Sequence, residues 1–279
     1  MKLCIRAHDL GVKGTEEILQ KLDQLGLDGV QMVCYKAYDD IPYLPGGITA
    51  EKAAEIGRAF ADDGKIIPLV GAYFNPVHSD RDKAERCERI FADYLRNCRG
   101  MGCGMVGSET GSFNDDKWTY HPRNRTEEAL RTVVDTFSRL CGVAAECGST
   151  VAMEGAAGHV CWDVDTLARA RKMMACETKV IFDLYNYMDE SNQEDYLKIL
   201  DRGLDVFGGE ILLFHMKDCT LVNGGRPAQV PFGTGDLDLK AILKRIKAYD
   251  KNAILTLEGT TGEHIAHAVT TVREIWESV

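Results

Sequence analysis

A single (β/α)8 TIM barrel over residues 1–279 is the fold class this sequence predicts, and three observations carry the expectation. Eight short β-rich apolar runs alternate with longer segments of helical period from one end to the other. The runs are almost continuously hydrophobic, as parallel strands covered by helices must be. No G-x-G-x-x-G follows the first run, which removes the usual dinucleotide-binding form of the competing open, doubly wound sheet.

In chain order the predicted strands are "KLCIRA" (2–7), "GVQMVCY" (29–35), "IIPLVGAYF" (66–74), "GMVGS" (104–108), "TVAMEG" (150–155), "KVIFDLY" (179–185), "EILLFHMK" (210–217) and "AILTLEG" (253–259). The segments between them read as amphipathic helices. From Thr126 to Cys147, apolar residues recur at Leu130, Val133, Val134, Phe137, Leu140, Cys141 and Ala144, the spacing of one buried stripe. A later helix is expected after Asp238 as N-cap, with Leu239, Ile242, Leu243 and Ile246 on its inner face. Seven prolines, no Ser/Gly tract and no charge block leave nothing that reads as a linker, so one domain is expected.

Composition narrows the partners. Hydrophobic residues make up 45% and charged residues 27% of the chain, which is globular and supplies a large core. A formal net charge of -10 repels phosphate backbones and acidic lipid surfaces, so neither nucleic acid nor membrane is an expected partner. The ten cysteines are scattered without a CxxC pair, several inside apolar runs, as reduced core residues would be. With no signal-like apolar run at the N-terminus and no membrane-length window, the reading is a soluble protein of the reducing cytoplasm.

Chemistry gathers where strands end. The fifth, sixth, seventh and eighth runs finish in Glu154, Asp183, His215 and Glu258. Each separation is about one βα unit, so a barrel brings these side chains together at the C-terminal face that carries TIM-barrel active sites. One carboxylate at a strand end is as readily a solvated terminus; three pressed together repel one another unless a cation neutralises them. A nitrogen and several carboxylate oxygens form a hard ligand set, so one divalent ion is expected, Mn2+ first, with Mg2+, Co2+ or Zn2+ as alternatives. Asp218 is a candidate supporting neighbour of His215. Such a cation between two glutamates suits proton abstraction next to a carbonyl through an enediolate, ending in epimerisation or in aldose–ketose isomerisation.

The ordered motifs "VAMEG", "IFDLYN", "FHMKD", "FGTGDLD" and "LTLEG" make the chain similar to the xylose isomerase-like TIM-barrel superfamily, in its sugar phosphate isomerase/epimerase branch. The resemblance implies Glu154, Asp183, His215 and Glu258 as metal ligands, with Glu154 and Glu258 as the acid/base pair of its ketose 3-epimerases. The chain departs from those epimerases at Val160, Leu221 and Asn186, where they tend to carry Glu, Arg and His. Its "HMKD" form looks more like inosose dehydratases and hydroxypyruvate isomerases. A small sugar or polyol-derived substrate is therefore expected, with a lyase or dehydratase, or a non-catalytic sugar-binding barrel, as alternatives. Phosphodiester cleavage, as in endonuclease IV of the same superfamily, fits poorly with seven histidines in all and the acidic charge.

Further substrate contacts are expected from His8, Asn75, His78, Glu109, His159, Asn186 and Lys217. For the loop residues among them, capping is the competing role. Lys217 either stabilises oxyanion charge or pairs with Asp218. "FGTGDLD" reads as a turn into an N-cap rather than a phosphate cradle, since no Lys or Arg clusters there. Trp118, Tyr120 and Phe113 suit a lid, a sugar-stacking wall or a homo-oligomer contact.

Overall fold

The computed structural model describes residues 1–279. Its strands are β1 (Lys2–Arg6), β2 (Gly29–Met32), β3 (Ile66–Gly71), β4 (Met105–Glu109), β5 (Thr150–Glu154), β6 (Thr178–Asp183), β7 (Ile211–Met216), β8 (Asp218–Thr220), β9 (Ala228–Val230) and β10 (Ile254–Leu257). Eight of them close a parallel barrel in the order β1-β10-β7-β6-β5-β4-β3-β2, while β8 and β9 form a separate antiparallel pair. All eight predicted runs are barrel strands, but two end three residues early. After Met32 the chain turns into a short helix, Cys34–Ala37, and β3 stops at Gly71. The hairpin of β8 and β9 had no counterpart in the sequence reading.

The helices are α1 (Thr15–Leu25), α2 (Cys34–Ala37), α3 (Ala50–Asp62), α4 (Arg81–Asn97), α5 (Glu127–Cys147), α6 (Val164–Met174), α7 (Tyr196–Phe207), α8 (Leu239–Tyr249) and α9 (His264–Ser278). Local chemistry starts them where expected. Thr126 Oγ1 accepts from the Ala129 amide at 3.2 Å and Asp238 Oδ1 from the Ala241 amide at 2.8 Å, satisfying first-turn donors that otherwise lack partners. The apolar stripes of α5 and α8 are buried at every predicted position. Phe137 of α5 packs beside Phe74 and Phe91, at ring-centroid distances of 5.9 and 6.2 Å, so the segment after β3 is anchored between α4 and α5.

Two cores result. The larger lies between strands and helices, and eight of the ten cysteines are buried, as the sequence reading expected. A small one fills the barrel interior with Leu69, Ala152, Ile181 and Leu213. No helix is long and apolar enough to cross a membrane.

Candidate metal centre

The interior layer explains how the site assembles. Side chains of a strand return to the same face every second residue. Two positions beyond Ala152, Ile181 and Leu213 stand Glu154, Asp183 and His215, so each projects inward at the C-terminal end. Register aligns them: Asp183 pairs with His215 and Glu109 with Glu154, while His215 also pairs with Thr256 of β10, two residues before Glu258. One ligand atom from each of Glu154, Asp183, His215 and Glu258 lies within 4.8 Å of all the others.

The donor set fits a divalent cation. His215 Nδ1 is 2.9 Å from Glu258 Oε2, 3.3 Å from Glu154 Oε1 and 3.6 Å from Asp183 Oδ2. Asp183 Oδ2 is buried without a hydrogen bond of good geometry, although Lys217 Nζ stands 2.8 Å away. Burial works against the imidazolium, but Glu154 and Glu258 outweigh it and hold His215 well above its usual pKa. Burial likewise pushes Glu154 up, to about 7, against the pull of His215. For Glu258 burial is overcome by Lys217, His215 and Arg6, which keep its carboxyl well below the usual range. Two glutamates in one mouth thus have opposite proton preferences.

His215 is oriented from the far side of the barrel. Gln31 of β2, fully buried, accepts at Oε1 from His215 Nε2 at 2.6 Å, and its own amide donates to Tyr73 Oη at 2.7 Å. The amide nitrogen being spent on Tyr73, the oxygen takes the Nε2 proton and leaves Nδ1 for the carboxylate cluster. Tyr73 Oη in turn lies 3.5 Å from Glu154 Oε2. Neither residue was expected from sequence. The available signal was Gln31 itself, one amide in an otherwise apolar strand.

Two cations complete the cluster. Lys217 Nζ stands 2.8 Å from both Asp183 Oδ2 and Glu258 Oε1, and donates to Asn186 Oδ1 at 3.0 Å. It does not pair with Asp218. Arg6, which the sequence reading passed over, donates from Nη1 to Glu258 Oε1 at 2.9 Å. Asn186 connects the parts, donating to Glu154 Oε1 at 2.7 Å and to Glu109 Oε1 at 3.5 Å.

A cavity of about 370 Å³ opens onto this cluster. Glu154 and Glu258 form part of its wall, with Arg6, His8, Glu109, Tyr73 and Trp118; Asp183 and His215 do not. His8 lies in the wall with Nδ1 unpartnered, and burial together with Arg6 lowers its pKa to about 4. Asn75 and His78 also border the cavity, yet both are engaged in loop structure. Asn75 donates to the carbonyls of Ser112 and Asp115 and accepts from the amides of Val77 and Ser112, and His78 Nδ1 accepts from the Asp80 amide. His159 is buried outside the wall, bonded to the Trp118 carbonyl at 3.2 Å and edge-on to its ring. Its Nδ1 stands 3.9 Å from Glu109 Oε1.

Asp218 departs from its expected place beside His215. Its carboxylate accepts from the amides of Cys219, Gly233 and Gly235 at 2.9, 3.1 and 2.9 Å, so it clamps the "FGTGDLD" loop. A Cβ at Gly235 would lie 2.3 Å from Asp218 Oδ1, which is why that loop position carries glycine. Of the three aromatics, Trp118 reaches the cavity, Phe113 stacks under the Arg123 guanidinium and Tyr120 is exposed.

The sequence model of a family described as xylose isomerase-like TIM barrel matches residues 19–275. No protein of curated function matches the chain in sequence. Among solved structures, a D-tagatose 3-epimerase-like protein superposes with a TM-score of 0.76 at 14% identity, covering 100% of this chain and 98% of that one. The probable 3-DHS dehydratase AsbF of Bacillus anthracis gives 0.75 at 12% identity, over 98% and 99%. Endonuclease IV of Thermus thermophilus gives 0.74 at 17%, over 100% of each. At such identities these likenesses speak for the barrel alone.

Proposed function

The chain belongs to the xylose isomerase-like TIM barrel family, and on that premise we infer that it is a divalent-metal-dependent isomerase or epimerase of a small sugar or sugar derivative. Glu154, Asp183, His215 and Glu258 hold one ion, Mn2+ before Mg2+, Co2+ or Zn2+. When bound, the ion polarises a substrate carbonyl and its neighbouring hydroxyl. One observation carries the reading: of the four clustered ligands, the two glutamates are also wall residues of the cavity. On this reading Glu154 and Glu258 take a proton from the carbon beside the carbonyl and return one. Asp183 and His215 serve as ligands behind them. Lys217 and Asn186 stabilise negative charge next to the carboxylates, and His8 and Glu109 bond substrate hydroxyls.

A second reading, dehydration of a keto-sugar or inosose, starts with the same proton removal and then expels a neighbouring hydroxyl. It is supported by the departures from the ketose 3-epimerases at Val160, Asn186 and Leu221. Elemental analysis of protein supplied with Mn2+, wild type against His215→Ala, tests the centre: about one ion per chain, lost in the variant, is expected. Ketoses and inositol-like ketones incubated in deuterium oxide then report chemistry. Deuterium at the carbon next to the carbonyl with an isomeric product supports the first reading, and an unsaturated or deoxygenated product the second. Wild-type protein that takes up no divalent ion overturns both.

A further inference from the structure

We propose that Arg6, seated on Asp9, is a positioning residue that restricts Glu258 to a single oxygen for the cation. The proposal rests on the metal reading above and concerns how one ligand is held. Arg6 ends β1, and its fork grips Asp9 twice, Nε to Oδ2 at 2.9 Å and Nη2 to Oδ1 at 3.0 Å. The remaining Nη1 reaches Glu258 Oε1 at 2.9 Å. Asp9, itself buried, also accepts the Gly259 amide at 2.9 Å, so the unit holds both the Glu258 side chain and the peptide that follows it. Gly259 has a φ of 73°, a left-handed conformation that turns the chain away directly after Glu258.

Lys217 Nζ shares Glu258 Oε1 at 2.8 Å. With two cations beside Oε1, Oε2 is the oxygen turned to His215 Nδ1, at 2.9 Å. A carboxylate so held would offer a cation one oxygen atom, Oε2. A guanidinium suits this task, because its rigid fork fixes two carboxylates at once where an ammonium fixes a point. The arrangement also ties the first strand of the barrel to the last at the level of the site.

The test compares full-length wild type with R6M, R6K and F137L, the last weakening the core outside the barrel. Mn2+ affinity is measured by calorimetry and ligand geometry by the visible absorption of Co2+-loaded protein. R6M is expected to bind Mn2+ about ten- to a hundredfold more weakly, in the range of lost supporting contacts, and to change the Co2+ band as Glu258 gains freedom to ligate through both oxygens. R6K should fall between R6M and wild type, and F137L should lower the melting temperature without altering the Co2+ band. R6M and R6K matching wild type within about twofold, with an unchanged band, overturn the positioning role alone. So does F137L matching R6M in both readouts. Should R6M not fold, R6K against F137L decides. Wild type that binds neither ion overturns the metal reading together with this one.

Discussion

Replacing Gln31 by leucine isolates the contact that orients His215. The substitution keeps approximate volume while removing the acceptor 2.6 Å from His215 Nε2 and the donor 2.7 Å from Tyr73 Oη. Gln31 and His215 are buried, so a His215 Nε2 left without a bond costs about 1–3 kcal/mol of folding stability, while Tyr73 Oη, half-buried in the cavity wall, keeps Glu154 Oε2 at 3.5 Å. The imidazole also loses the bond that turns Nδ1 toward the carboxylate cluster, and supporting contacts of this kind contribute about ten- to a hundredfold in metal affinity. Thermal melting with and without Mn2+ separates the two effects. At a Mn2+ concentration near a hundred times the wild-type Kd, binding stabilises the wild type by about 2.7 kcal/mol. A variant ten times weaker gains about 1.4 kcal/mol at that concentration, and one a hundred times weaker about 0.4 kcal/mol. Gln31→Glu, which keeps an acceptor, should retain more of the Mn2+ stabilisation than Gln31→Leu. If Gln31→Leu gains the full wild-type increment, the amide does not set the imidazole and the reasoning fails.

Glu258→Gln should leave the far-ultraviolet circular dichroism unchanged while lowering solvent-deuterium exchange by at least about a hundredfold, the usual worth of a proton-transfer group; exchange at the wild-type rate would remove Glu258 from the chemistry. Mn2+ affinity should fall as pH drops through 7, because burial raises Glu154 to about 7 and a cation must then displace its proton. Calorimetry at pH 6, 7 and 8 checks this, and constant affinity would refute it. Without metal the sign reverses: a raised pKa means the folded chain holds the extra proton, so this group's contribution to stability is fully present below the ordinary 4.5 and lost as pH rises through about 7. Asp218→Ala removes the acceptor of the Cys219, Gly233 and Gly235 amides. It should lower stability by about 2 kcal/mol and speed hydrogen exchange at Gly233 and Gly235, whereas unchanged exchange would deny the clamp.

Much of the barrel was legible because its signals are local. Alternation of apolar runs with helical stripes marks the strands, and Thr126 and Asp238 mark helix starts within three residues of the amides they cap. The strand-end positions of Glu154, Asp183 and His215 follow from a period of two, once the runs are known to face a barrel interior. Asn75 shows where such reading stops. A polar residue after a strand suits substrate binding and loop capping equally, and four backbone bonds decided for the loop.

What the sequence by itself determined is the order of eight βα units and the carboxylate and imidazole residues, candidate metal ligands, that end four of them. Only the tertiary structure decided which residues support those ligands. Gln31 meets His215 across 184 residues of chain, and Arg6 meets Glu258 across 252. Asp218, one step from Lys217, turns instead to a loop fifteen and seventeen residues away. Strand periodicity is written in neighbouring residues, whereas a hydrogen-bond partner depends on closure of the barrel, which pairs β1 with β10 and sets Gln31 of β2 across the interior from His215 of β7.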